Sequence, residues 1–210
     1  MTAPHTVRWS RLALLACLVA AGACRRPAPT IAPISPSTVI VAFGNSLTAG
    51  VGAGARSASY PALLQSRLGC RVVNAGVSGE ETSAGLKRLP TVLKAQEPDV
   101  VILCHGGNDM LGRKNEDALE SNLDRMISLA RRSGADVILV GVPKPGLTLR
   151  VPRLFHELAA KHHIPIEAEA LPHILSNRSL KSDLIHANAA GYKYLAKAIQ
   201  DLILKSQPKR

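Results

Sequence analysis

Residues 38–54 read TVIVAFGNSLTAGVGAG. Thr38 to Phe43 form an unbroken β-branched and apolar run, and Gly44 ends it. A strand covered on both faces of a parallel sheet requires such a run, whereas a strand with one wet face alternates. Three other stretches share this character: Arg71 to Asn74 (RVVN), Val100 to Cys104 (VVILC) and Val137 to Val142 (VILVGV). A weaker fifth, Ile164 to Ile166, is interrupted by Pro165. Between the runs, apolar residues recur at helical spacing. Tyr60, Leu63, Leu64 and Leu68 share one face, as do Leu86, Leu89 and Leu93. Leu119, Leu123, Met126, Ile127 and Ala130 line a third, and Phe155, Leu158 and Ala159 a shorter fourth. Tyr192, Leu195, Ile199, Leu202 and Ile203 make the last. Gly134, just after Arg131 and Arg132, marks a helix end. This alternation predicts an α/β fold, a three-layer α/β/α sandwich on a five-stranded parallel sheet.

The 210 residues suffice for one domain and leave little for a second. A hydrophobic content of 46% builds a proper core and excludes wholesale disorder. One Trp, three Tyr and two Phe make that core aliphatic. They also argue against a nucleic-acid partner bound by aromatic stacking. Four cysteines without a CxxC pair suggest neither a disulfide scaffold nor a zinc site. The net charge of +11 favours anionic surroundings, but the basic residues are scattered in short pairs such as Lys87-Arg88. A solvated surface with weak attraction to anionic lipid is the expectation.

Residues 1–23 have the zones of an export signal: Arg8 and Arg11, an apolar stretch from Leu12 to Ala20, then Ala21-Gly22-Ala23. About twelve apolar residues are too few to span a bilayer, which takes roughly 20. AGAC, ending at Cys24, is similar to a bacterial lipobox, with Ala21 where Leu is usual; LLAC at Cys17 leaves too short an apolar region. Lipidation at Cys24 is favoured because a tether-like segment follows, RRPAPTIAPISPS from Arg25 to Ser37. The expected product is a periplasmic, membrane-anchored lipoprotein, with soluble export as the alternative. Residues 24–37 are then a Pro-rich linker and 38–207 the folded domain.

Ligands of such sheets bind at the carboxyl ends of the strands. Ser46 lies just past the first strand, and Gly76 and Gly79 follow the second in NAGVSGEETSAG. Asn108 follows the third in HGGNDML, and Asp183 stands three residues before His186 ahead of the last helix. A serine hydroxyl becomes a useful nucleophile when an imidazole takes its proton. His186 can do so if a carboxylate fixes its tautomer, and Asp183 shares its loop. An attacked ester carbonyl develops an oxyanion. The backbone N–H groups of Ser46 and Gly79 and the Asn108 amide are candidate donors, and losing one such donor costs about 3 kcal/mol.

The four blocks FGNSLTAG, NAGVSGEETSAGLKRLP, HGGNDML and DLIH, in this order, resemble those of the SGNH, or GDSL-type, hydrolases. The resemblance covers about residues 38 to 204 and is nearest to the bacterial periplasmic multifunctional thioesterase/lysophospholipase group. It implies a flavodoxin-like sandwich with Ser46 as nucleophile, Asp183 and His186 completing the triad, and Ser46, Gly79 and Asn108 forming the oxyanion hole. No metal or organic cofactor is implied. Two positions depart from the family's pattern. Asn45 stands where Asp is usual, and Ala187 where Pro usually follows the histidine. The first substitutes a neutral amide beside Ser46, and the second removes one fixed φ from the histidine loop. Asn188 can still cap the final helix.

The expected substrates are acyl esters or thioesters, including lysophospholipids and aryl esters, taken by a monomer. Met110, Leu111, Leu147, Leu149 and Val151, apolar residues of the rim loops, are candidates for contacting the acyl chain. A carbohydrate O-acetylesterase on the same apparatus and a catalytically silent binding protein are the alternatives. A nucleotide-binding module is disfavoured because GNSLTAGVGAG lacks the GK[ST] of a phosphate loop. His105 reads as a strand-end residue facing the adjacent layer, and His162-His163 as an exposed helix-end pair. Cys70 and Cys104, on strands separated by the first in a 2-1-3-4-5 sheet, read as buried thiols.

Overall fold

The computed structural model describes residues 28–146 and 148–208. Five strands, β1 (Val39–Gly44), β2 (Arg71–Gly76), β3 (Val100–Cys104), β4 (Asp136–Val140) and β5 (Ile166–Glu167), pair in parallel in the order β2-β1-β3-β4-β5. The connecting helices are α1 (Ser46–Ala49), α2 (Tyr60–Leu68), α3 (Thr82–Gln96), α4 (Gly107–Leu111), α5 (Glu116–Arg132), α6 (Arg153–His162), α7 (Ala170–Ser176) and α8 (Ala189–Lys205). Helix α3 packs on α5 and α5 on α6, while α2 and α7 pack on α8. The expected sandwich and its strand order are both present.

Every residue of β3 is buried, as are Ile40 to Gly44 of β1, so the continuous apolar runs mark the centre of the sheet. Strand β2 is different: of its six residues only Val72 is buried and Asn74 is exposed, because β2 is an edge strand. Strand β5 shrinks to two residues. Pro165 has no N–H to donate to the ladder, although its carbonyl still accepts from Leu139. The helical faces read from spacing are those that pack inward. Tyr60, Leu64, Leu89, Leu123, Tyr192 and Ile199 are all fully enclosed. Helix α5 begins at Asn115, whose side chain accepts from Ala118 N–H, and ends at Ser133 with Gly134 at φ 92°.

The Pro-rich segment expected to be a spacer up to Ser37 joins the fold earlier. Ile31 is buried and its N–H donates to the Ser206 carbonyl, while Ala32 N–H donates to the Asp136 carboxylate at 2.7 Å. Asp99 accepts from Val39 N–H at the same, amino-terminal, end of the sheet. His162 is likewise not an exposed histidine: it lies 2.6 Å from Asp124 and is largely covered, tying α6 to α5. Cys70, just before β2, and Cys104 are both buried free thiols, and burial pushes the Cys104 thiol up to about 12. The signal sequence and Cys24 lie outside the described residues. Among the described residues no helix is long and apolar enough to cross a membrane.

Candidate active site

The chain turns from β1 into α1 within one residue. Gly44 makes this possible, because a Cβ there would sit 2.1 Å from the Cys104 carbonyl oxygen and 2.4 Å from Thr48 Oγ1. Asn45 is buried and caps α1, its side-chain oxygen accepting from Leu47 N–H at 3.2 Å. The amide that replaces the usual acid thus has a local partner, and it holds Ser46 at the first position of the helix. Ser46 is itself buried but for its edge on the cleft.

The last loop brings the imidazole to it. His186 Nε2 lies 3.0 Å from Ser46 Oγ, and His186 Nδ1 lies 2.8 Å from Asp183 Oδ2. The other carboxylate oxygen of Asp183 accepts from the N–H groups of Ile185 and His186, each at 2.8 Å. Burial alone would raise the Asp183 pKa, but these backbone donors and the His186 ring hold it below the usual carboxylate range. An ionised Asp183 fixes the tautomer with hydrogen on Nδ1, which leaves Nε2 free to accept from the serine hydroxyl. Ala187 does not leave this loop slack. It is fully buried and bridges to Lys181, and Ser182 N–H donates to the His186 carbonyl. Asn188 caps α8 through Gly191 N–H and donates its amide to the Ser179 carbonyl.

Gly79 lies in the turn after β2 with φ 78°. The Asn108 side chain donates one N–H to the carbonyl of the next residue, Glu80, at 2.9 Å, and its amide has a second N–H to offer. Asp109 is buried and accepts from Thr82 N–H and Thr82 Oγ1 at the start of α3. It therefore fastens α4, which carries Asn108, to the start of α3, three residues past Gly79. Nothing in the sequence reveals this pairing, since it spans 27 residues.

A shallow, largely apolar cleft opens beside Ser46 and His186. Leu111 and Leu149, two of the five apolar residues expected at the acyl chain, line it. Met110 does not: it faces a neighbouring depression with Arg113 and Leu154, because one helical step carries it off the Leu111 face. Val151 packs over Gly141 instead, and Leu147 lies outside the described residues. Leu175, Leu184, Val142 and Pro143 are among the apolar wall residues that the sequence analysis did not single out. Leu184 had a usable signal, its place two residues before His186. Leu175 had none, because α7 shows too little periodicity to be read as a helix.

Known proteins resemble this chain in sequence and in structure. An esterase of Pseudomonas aeruginosa, TesA, is 39% identical over 111 residues, which cover 50% of this chain and 55% of that protein. An arylesterase of Vibrio mimicus is 29% identical over 181 residues, covering 80% of this chain and 90% of that protein. The crystal structure of TesA superposes with a TM-score of 0.71 at 30% identity, covering 79% of this chain and 98% of that one. The GDSL-like lipase/acylhydrolase profile matches residues 42–194, a span that holds Ser46, Gly79, Asn108, Asp183 and His186. The chain belongs to the GDSL-like lipase/acylhydrolase family.

Proposed function

We propose that this protein is a serine esterase that cleaves carboxylic esters or thioesters bearing an acyl chain. The observation that carries the reading is the unbroken relay from Asp183 to His186 to Ser46, at 2.8 and 3.0 Å, opening into an apolar cleft. Ser46 Oγ attacks the carbonyl carbon as its proton passes to His186 Nε2. The oxyanion is received by the N–H groups of Ser46 and Gly79 and the Asn108 amide. Collapse expels the alcohol or thiol, which takes the proton from His186, and the acyl group remains on Ser46. Water then gives a proton to His186, attacks the acyl carbon, and releases the acid with Ser46 restored.

Leu111, Leu149, Leu175 and Leu184 favour an aliphatic or aryl acyl group over a sugar ring, which would need polar partners along the same wall. Lysophospholipids and aryl esters fit this chemistry. A p-nitrophenyl ester series from C2 to C16, with lysophosphatidylcholine, tests the reading. Ser46→Ala is expected to lose about 10⁴-fold or more in kcat. The joint change of Leu149 and Leu184 to Ser is expected to shift the optimum toward shorter chains. Equal activity of the Ser46→Ala variant would refute the mechanism, and an unmoved chain-length profile would refute the assignment of the cleft. Export and lipid anchoring at Cys24 are proposed on the zones of residues 1–23. Palmitate incorporation that is lost in Cys24→Ala tests them.

A further inference from the structure

We propose that Glu80, Arg88 and His105 form a positioning cluster that sets the oxyanion-binding geometry of Gly79 and Asn108. The inference rests on the esterase reading and goes beyond it, since none of the three residues belongs to the triad or the oxyanion hole.

Glu80 follows Gly79 directly. Its carboxylate is almost fully covered and accepts two parallel hydrogen bonds from Arg88, Nε to Oε1 at 2.8 Å and Nη2 to Oε2 at 2.7 Å. His105 Nε2 lies 3.2 Å from the same Oε2. The roles in that contact follow from the other ring nitrogen. His105 Nδ1 accepts from Gly106 N–H at 3.1 Å, so the proton sits on Nε2 and the neutral ring donates to Glu80. Arg88 is itself held from two more strands. Its Nη2 donates to the Ala75 carbonyl at the end of β2, and its guanidinium lies 4.1 Å from the centroid of the Phe43 ring of β1. Helix α3 must come very close for this to work, and Gly85 permits it: a Cβ there would be 2.5 Å from His105 Nε2. Finally, the Glu80 carbonyl accepts from Asn108 Nδ2.

One residue thus joins the two candidate oxyanion donors, and its side chain is fixed to Arg88 of α3 and to His105 just past β3, and through Arg88 to β1 and β2. A buried ion pair adds little stability over an apolar replacement, but its forked geometry tolerates little displacement. That combination suits a part whose task is placement. Burial opposes ionisation of Glu80, yet the hydrogen bonds from Arg88 and His105 hold its carboxyl down to about 2, so the pair is charged at any working pH.

The test compares wild type with Glu80→Gln, Arg88→Lys, His105→Leu and His105→Gln in the full mature chain. Turnover of p-nitrophenyl butyrate is normalised to serine titrated by a fluorophosphonate. Glu80→Gln, Arg88→Lys and His105→Leu are expected to lose 10- to 100-fold in kcat per titrated serine, with KM within threefold. His105→Gln, which restores a donor, is expected to recover most of the His105→Leu loss. Amide exchange across residues 77–82, faster in Arg88→Lys, provides a readout that does not depend on turnover. A merely structural role would lower the titrated fraction and leave kcat per site unchanged; that result, or unchanged exchange, would overturn the proposal. Wild-type turnover that survives Ser46→Ala would instead overturn the esterase reading and leave the exchange test to decide the cluster.

Discussion

Asp183 accepts three hydrogen bonds, from two backbone N–H groups and the His186 ring, and so shapes its loop as well as the base. Asp183→Asn keeps the size but offers an amide that can reverse the ring tautomer. It is expected to lose 10³- to 10⁴-fold in kcat while retaining the wild-type circular dichroism spectrum. Unchanged kcat would remove the carboxylate from the mechanism. Because the Asp183 pKa is lowered in the fold, its protonation is not expected to set the acidic limb of the activity profile near neutrality. Glu80 provides a stability prediction with a defined sign. Its folded value of about 2 lies below the ordinary 4.5, so its contribution is full above the ordinary carboxylate range and is lost as pH falls from 4.5 toward 2. The difference in urea stability between wild type and Glu80→Gln is expected to shrink between pH 6 and pH 3, by roughly 2 kcal/mol at most. A difference that stays constant with pH would show that Glu80 gains nothing from ionisation in the fold.

At the level of elements, the site depends on how abruptly β1 becomes α1. Gly44→Ala drives a methyl into the backbone oxygen of Cys104, and neither strand can yield without losing ladder bonds. The expected cost is about 1–3 kcal/mol, with a loss of activity as Ser46 is displaced. A variant with wild-type thermal midpoint and activity would show that the turn is looser than described. The same elements explain what could be read in advance. β1, β3 and β4 announced themselves because a strand enclosed on both faces must be apolar throughout. β2 carries an exposed Asn74 at the sheet edge, and β5 is cut short by Pro165, so their limits were poorly marked. Helices α1, α4 and α7 are four, five and seven residues long, too short to repeat a face. That Ser46, Asp183 and His186 meet was legible because they sit in short motifs, one just past β1 and one just before α8. The Glu80, Arg88 and His105 contacts were not, because they join three elements through side-chain geometry alone.

Across the whole molecule, the candidate site and the segment around Ile31 and Ala32 occupy opposite ends of the sheet. Ser46 lies past the carboxyl end of β1, whereas Ile31 and Ala32 dock beside Asp136 and Ser206 at the other. β1 alone sets about 20 Å between them. Ile31 and Ile34, set among prolines, show no periodicity to betray that they pack on the core, so the sequence predicts a tether here. Ile31→Asp is expected to lower stability by about 1.5–3 kcal/mol and to leave kcat/KM per titrated serine within twofold. A selective fall in kcat/KM at unchanged stability would mean that this segment communicates with the site.

All three scales meet in the claim that Ser46 carries the acyl group between two chemical steps. Rapid quenching of the enzyme during turnover of a p-nitrophenyl ester, followed by peptide mass mapping, tests it most directly. The peptide containing Ser46 should gain the mass of the acyl group within the burst and lose it as turnover ends. Turnover at full rate with that peptide unmodified throughout would contradict the account.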